Sequence, residues 1–399
     1  MKILMVNKFL FPKGGAETYV HKLGEILSGN GHEVQYFGLR NEKNDLGNKA
    51  GAYVSNVDFS TGIWKNLGSP FRIVYSVEAK REIRKVLEDF QPDIVHLNNI
   101  QFHLTPSIIL EIHNYREKTK NELKIIYTAH DYQLICPSHG LFDNNIQVCE
   151  KCLKGNYFNC TSMKCIKGSA LKSLIGTIDA YVWKWNPAYR YIDKIICCSS
   201  FLKLKLDTQE RFQNKTVVLH NFVENCMQID VQKEDYILEF GHLSKEKGTN
   251  TLLKVAERMP DVQFVFAGYG AAVKEIEKVK NARYVGFKTG NELEMLIRKA
   301  KISIYPSEWY ENCPFSVIES QMFQTPVIGS RMGGIPELIR DGETGFLFEA
   351  GNDTDLERKI CKLLYTPGLL DRFSDNCRRL AFESPESYYE KLMRLYMEK

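Results

Sequence analysis

The sequence predicts an α/β chain of two doubly wound domains, on three observations. Short β-branched runs alternate with longer segments of helical periodicity along the chain, as buried strands separated by helices do in a parallel sheet. The pattern restarts after about residue 234. The length of 399 residues suits two cores of roughly 150–200 residues each better than one.

In the first half, KILMV (2–6) reads as a buried strand and 16–29 as a helix, with Val20, Leu23, Ile26 and Leu27 at helical spacing. Gly29 and Gly31 lead into the strand HEVQYFG (32–38). DIVHLN (93–98) and KIIYTAH (124–130) each follow a helical segment, and KIICCS (194–199) and TVVLHN (216–221) close the series.

In the second half, YILEFG (236–241), VQFVFAG (262–268), ARYVGF (282–287), ISIYP (302–306) and TPVIGS (325–330) read as strands. Helices are expected over 248–259, 271–280, 290–300 and 314–323. The boundaries are thus a first domain over 1–221 with a Cys-rich insertion at about 136–168, a polar linker over 222–234, and a second domain over 235–383. The helix at 384–399 crosses back to the first domain on this reading. Two such domains would face each other across a cleft lined by the carboxyl ends of their strands, where open α/β sheets bind ligands.

Composition narrows the function classes. Apolar residues make up 44% and charged residues 26%, the balance of a folding, core-burying chain. A net charge of +4 does not support a dedicated nucleic-acid binder. No run approaches the ~20 apolar residues of a membrane span, and Asn7 and Lys8 interrupt the first apolar run before a signal peptide could form. Eleven cysteines, an odd number in a chain without a secretory signal, read as reduced thiols, so the expected location is cytoplasmic.

The stretch ENCPFSVIES (311–320) sets Glu311 and Glu319 on either side of seven mostly uncharged residues, at the start of a helix that follows a strand. Asn312 suits the cap and Pro314 the first turn. The exposed N–H groups of such a helix form an anion site, and a carboxylate can accept from two neighbouring sugar hydroxyls. Spacing alone also allows a capping glutamate and a solvated one.

The flanking residues decide between them. PSEWYENCPFSVIESQMFQTPVIGSRMGGIPELIRDGETGFLF (306–348) resembles, almost from end to end, the signature of the family-4 or "group 1" glycosyltransferases. These are retaining, nucleotide-sugar-dependent enzymes built from two Rossmann-like domains, the GT-B architecture. The resemblance implies that Glu319 holds the ribose hydroxyls and Glu311 the donor sugar. It also implies that the amides of Phe315, Ser316 and Val317 face sugar or phosphate.

GHLSKEKGTNTLL (241–253) is similar to the family's Gly-Arg-Leu-x-x-x-Lys-Gly element. Lys247 takes the lysine position, as a cation for the donor diphosphate. His242 stands where the family has arginine, and a histidine is only partly charged near neutral pH and offers no forked donor. Another cation, such as Arg331, could share that task. FPKGGAETYV (11–20) lies at the first strand–helix junction, where Gly14 and Gly15 let the backbone approach the donor and cradle its phosphate, and Gly14, Gly15 and Glu17 match the family's GG-x-E pattern. His130 and Asp131 end the fourth strand, and the family's histidine there reaches the donor sugar. His130 and Glu311 are therefore the expected catalytic pair, with Glu17 and Asp131 on the acceptor side. AGYG (267–270) and GFK (286–288) resemble loops that line the nucleotide base.

Two features lie outside that resemblance. Cys149, Cys152, Cys160 and Cys165 have the spacing C-x2-C-x7-C-x4-C, which suits a structural zinc, free thiols or a redox pair. Residues 181–191 (YVWKWNPAYRY) mix aromatic and basic side chains, as a helix packed on the first domain or as a surface for lipid.

The expected activity is retaining transfer of a sugar from a nucleotide-diphosphate sugar, without a catalytic metal or other cofactor, in surface polysaccharide or glycolipid assembly. The expected partners are that donor and a saccharide or lipid-linked acceptor, with peripheral contact at the inner membrane face and no nucleic acid. A sugar-nucleotide epimerase on the same fold and a non-catalytic interaction protein on a degenerate one are the alternatives.

Overall fold

The structure is a computed structural model that describes residues 1–56, 69–145, 147–224, 229 and 231–398. It divides into two compact units: residues 1–145, 149–220 and 385 onward, and residues 221–384 with 146–148. The linker expected over 222–234 lies partly outside the described residues, at 225–228 and 230.

The first unit is built on a six-stranded parallel sheet. Its strands are β1 (Lys2–Val6), β2 (Glu33–Phe37), β3 (Ile94–Leu97), β4 (Lys124–Ala129), β5 (Lys194–Cys197) and β6 (Thr216–Val218), in the order β2-β1-β3-β4-β5-β6. The register of β1 against β3 sets Ile3 beside Ile94 and Val6 beside Leu97. The second unit repeats the architecture with β7 (Glu234–His242), β8 (Gln263–Tyr269), β9 (Ala282–Tyr284), β10 (Ala300–Tyr305), β11 (Val327–Ser330) and β12 (Gly345–Phe348), in the order β12-β11-β10-β7-β8-β9. Both sheets are doubly wound, and each reverses direction at one point, between β1 and β3 and between β7 and β10.

Five helices support the candidate site and its surroundings: α1 (Gly15–Gly29), α2 (Ala170–Trp185), α3 (Thr249–Arg258), α4 (Phe315–Met322) and α5 (Pro385–Met397). The apolar strands are explained by burial on both faces. Along β7, Ile237 joins one core with Leu252, Phe264, Ile302 and Phe348, while Tyr236, Leu238 and Phe240 join the other with Val265 and Ile297. Successive side chains point to opposite faces, so both must be apolar.

The helix α5 belongs to the first unit through a buried polar relay. Tyr388 Oη is 2.6 Å from Tyr19 Oη, which lies 3.2 Å from Thr128 Oγ1. His96 then links Thr128, at 2.7 Å from Nε2, to Tyr396 Oη, at 2.6 Å from Nδ1. Every member of the relay is buried, and a buried polar group must find a partner to be tolerated there.

Three expectations need correction. The helix expected over 271–280 is a single turn, Val273–Ile276. Residues 181–191 are not one helix: α2 ends at Trp185, and Asn186 caps a separate 3₁₀ turn, Pro187–Tyr191. Proline cannot continue the helical ladder, and it biases the residue before it to the extended region, where Asn186 lies (ψ 139°). The helix α4 begins at Phe315 with Pro314 at its cap (ψ 120°), so Asn312 lies too early to cap it.

Candidate functional site

In the second unit the sheet reverses between β7 and β10, and the loops that leave these two strands meet there. Gly241, next to last in β7, has φ +119°, and a Cβ added to it would lie 3.8 Å from Ser316 Oγ in the first turn of α4. Gly248, just before α3, has φ +77° and no room for a Cβ, which would meet the carbonyl of Pro306 at 1.9 Å. The amide of Glu308 donates to the carbonyl of Glu246 at 3.0 Å, joining the β7 loop to the β10 loop.

Glu311 is buried at the centre of this junction. Its Oε1 accepts from Ser307 Oγ (2.9 Å), Trp309 Nε1 (2.5 Å) and Lys247 Nζ. The half-buried Tyr305 side chain lies beside it, and its phenol is raised well above the usual value, first by burial and then by the Glu311 charge. The Lys247 ammonium lies 4.5 Å from the centre of the Trp309 ring, a cation–π contact. The backbone of Glu311 is fixed too: Gly334 N–H donates to its carbonyl at 2.7 Å. Gly333, at φ +61°, lies so close that a Cβ would meet the same carbonyl at 2.0 Å. The GGIPELI segment thus holds the first glutamate in place.

The helix α4 has no side-chain cap. The Val317 N–H donates to the Pro314 carbonyl at 3.2 Å, so of the three amides expected to face a ligand, those of Phe315 and Ser316 are the ones helix geometry leaves unused. Glu319 is half-buried on the same helix.

His242 ends β7 with its side chain half-exposed, 3.9 Å from Glu246 and with its ring 5.3 Å from that of Tyr269. Tyr269 in turn meets Phe287 edge to face at 5.7 Å, and both are exposed, so AGYG and GFK contribute side chains as well as backbone. Arg331 is engaged by Asp341 (2.7 Å) and Glu349 (3.5 Å).

Sequence reasoning missed Glu239. It sits inside β7, fully buried, and accepts from Thr249 Oγ1 at 2.7 Å. Burial raises its carboxyl to about 8. The only signal was one acid inside the apolar run YILEFG.

In the first unit, the expected residues follow β1 and β4. Gly14 and Gly15 open α1 exposed, and neither has positive φ. Glu17 is buried in the first helical turn and accepts from Asn7 Nδ2 at 3.3 Å. Asn7 Oδ1 accepts from the Asn99 amide at 3.1 Å, tying the β1 loop to the β3 loop. Lys8, also missed, is depressed to about 8, first by burial and then by Lys13.

His130 follows β4 and packs 4.9 Å from the Tyr19 ring. Its Nε2 lies 2.9 Å from Asn98 Oδ1. Asn98 Nδ2 faces two carbonyls, those of Val6 and His96, which fixes the amide's orientation. Nε2 of His130 therefore carries the proton and donates, and Nδ1 is the acceptor. Burial lowers the imidazole to about 4, so it is neutral at physiological pH. Asp131 accepts from the Gln133 amide at 2.8 Å, and burial raises it to about 7.

The four cysteines do not support a zinc site. Among the described residues no group of three or more His, Cys, Asp or Glu side chains is placed to hold a metal. Cys152 and Cys160 instead pack with Tyr157, against Ile166, Ala180 and Tyr181. Burial raises the Cys152 thiol to about 12, and a hydrogen bond between Cys160 and Cys165 raises the first thiol and lowers the second.

Comparison with known proteins identifies the family and the fold. The family model for glycosyltransferase family 4 matches residues 13–225, and that for glycosyl transferases group 1 matches residues 228–380. An uncharacterised 42.6 kDa protein in the cps region of Klebsiella pneumoniae is 24% identical over 375 residues, 89% of this chain and 92% of that protein. A putative glycosyltransferase of Bacillus subtilis, EpsD, is 24% identical over 332 residues, 77% of this chain and 76% of its own. Among solved structures, sucrose-phosphate synthase from Thermosynechococcus elongatus aligns with a TM-score of 0.71 at 16% identity, covering 99% of this chain and 98% of that one. Anabaena HepE in complex with UDP aligns with a TM-score of 0.69 at 14% identity, covering 99% of both chains.

Proposed function

The chain belongs to glycosyltransferase family 4, with the GT-B fold, and on that premise we propose that it transfers a sugar from a nucleotide-diphosphate sugar to a saccharide or lipid-linked acceptor with retention of anomeric configuration. The observation that carries this reading is the Lys247–Glu311 pair, set beside the uncapped start of α4 where the second sheet reverses. One cation and the free amides of a helix terminus suit a diphosphate. Buried, oriented Glu311 and half-buried Glu319 suit the hydroxyls of the sugar and the ribose.

In the reaction, the acceptor oxygen bonds to the anomeric carbon on the face from which the diphosphate leaves. The bond from that carbon to the phosphate oxygen breaks, and the acceptor's proton passes to the departing phosphate. Negative charge grows on the diphosphate, and Lys247 with the Phe315 and Ser316 amides stabilises it in place, so no metal is required for that task. His242 adds less than an arginine would. His130 is a neutral acceptor at Nδ1 and takes a hydrogen bond from a sugar hydroxyl. The exposed Tyr269 and Phe287 rings offer the base an apolar face.

The likeness to HepE with UDP favours a uridine diphosphate sugar, and the likeness to the cps-region protein favours polysaccharide assembly on the cytoplasmic side. Among the described residues no helix is long and apolar enough to cross a membrane. The test is product analysis with a panel of UDP-, GDP- and ADP-sugars, with and without a chelator. The reading expects anomer-retaining transfer from one of them, unchanged by chelation. Epimerised donor without transfer would overturn it.

A further inference from the structure

The helix α2 presents a surface that the donor site does not use. Its inner face buries Ser173, Gly176, Thr177 and Asp179 with one large aromatic side chain, Trp183. Trp183 Nε1 donates to Asp179 (3.0 Å) and to the Val74 carbonyl (3.1 Å). A Cβ on Gly176 would meet Ile166 at 2.4 Å, so the helix lies close against its own unit on that side.

The outer face is the apolar one. Leu171 (42%), Leu174 (41%), Ile178 (47%) and Trp185 (76%) are all exposed. At 3.6 residues per turn these four fall within an arc of about 60°. Half-buried Ile175, Tyr181 and Val182 adjoin the stripe, and Tyr181 stacks on Trp185 at 5.2 Å. Such a helix is inside-out relative to an ordinary surface helix, which turns its apolar stripe inward. The helices Ser69–Val74 and Phe158–Ser162 pack on α2, and each adds an exposed phenylalanine, Phe71 and Phe158.

Charge identifies the occupant. Residues 151–190 hold seven lysines and arginines and one acid, Asp179, which is buried, although the whole chain carries only +4. Lys172 and Lys184 fall on opposite sides of the stripe. Two copies of this face would bring like charges together, which disfavours self-association, whereas an anionic surface complements it. An apolar outer stripe, flanking cations and an inner face on which Trp183 is the one large apolar side chain, on a 16-residue helix, fit a helix lying in an interface rather than spanning one. We propose that the outer face of α2 docks the protein on an anionic lipid bilayer, with Leu171, Leu174, Ile178 and Trp185 entering the headgroup boundary and the surrounding lysines contacting lipid phosphates.

The test is sedimentation of the full chain with phosphatidylcholine vesicles that contain either no anionic lipid or about 30% phosphatidylglycerol. The proposal expects binding at least about tenfold tighter to the anionic vesicles, weakened by salt, with a blue shift in tryptophan emission that Trp185→Phe removes. The double variant Leu174→Asp, Ile178→Asp should lose the binding at least about tenfold while keeping its melting temperature and nucleotide affinity. No binding to anionic vesicles, or equal binding by the folded double variant, would overturn the proposal. So would a wild-type dimer that the double variant dissociates, since the occupant would then be a second copy. Nucleotide affinity is read separately, so failure here leaves the donor site standing, and failure there leaves this face standing.

Discussion

Lys247 Nζ and Glu311 Oε1 form an ion pair, and Ser307 Oγ and Trp309 Nε1 donate to the same carboxylate oxygen. The two residues come from loops 64 positions apart in sequence, one after each strand at the reversal of the second sheet. Each orients the other, so the loss of either should disturb both of the tasks assigned to them.

Lys247→Met should lower kcat by roughly 100-fold or more, because the cation acts where charge develops on the leaving diphosphate. Glu311→Gln should lower it by a similar factor. A double-mutant cycle is the check: effects that add independently would show that the pair is not a functional unit.

Gly333→Ala should weaken donor binding although residue 333 carries no chemistry. Its φ of +61° disfavours any side chain, and the new Cβ would press on the Glu311 carbonyl. Destabilisation of roughly 1–3 kcal/mol is expected, read by denaturant unfolding, together with a raised KM for donor. An unchanged KM would separate the glycine from the site.

His242→Arg should tighten nucleotide-diphosphate binding by a few fold, since a forked guanidinium that can donate to two phosphate oxygens replaces an imidazole that cannot. Calorimetric titration of wild type and variant measures this. No change would show that Lys247 and the α4 amides already suffice.

Glu239 gives the protein a pH dependence of the less common sign for a carboxylate. Its folded-state value of about 8 lies above the unfolded value near 4.5, so between these the folded state holds a proton that the unfolded state has released. Stability contributed by this group is fully present below the unfolded value. It declines as pH rises through that window, by at most about 1.4 kcal/mol per pH unit, and is lost above about 8. Glu239→Gln keeps an acceptor for Thr249 and should flatten that part of the profile, raising the melting temperature at pH 8 more than at pH 5. Parallel profiles for variant and wild type would count against it.

The strands and the Glu311–Glu319 block were legible because their information is local. An apolar run marks a strand buried on both faces, and a helix that follows a strand presents its amides at the sheet's carboxyl edge. What surrounds Glu311 was not legible, since Trp309, Tyr305 and Gly333 converge on it only in three dimensions. The same holds for Asn98, which fixes the His130 tautomer from 32 residues away. The cysteines misled for the converse reason: their spacing is compatible with a metal, but folding sends Cys152 and Cys160 into an apolar cluster. The mixed aromatic and basic side chains of 181–191 fit one packed helix, which Pro187 breaks.

The central claim is that a nucleotide-diphosphate sugar binds at the reversal point of the second sheet, and calorimetric titration of wild type and Glu319→Ala with UDP, GDP and ADP tests it most directly. The account predicts that wild type binds one of these nucleotides and that the variant, without its ribose ligand, binds it at least about tenfold more weakly while melting at the same temperature. Equal affinity in the two proteins, or no binding of any nucleotide by wild type, would contradict it.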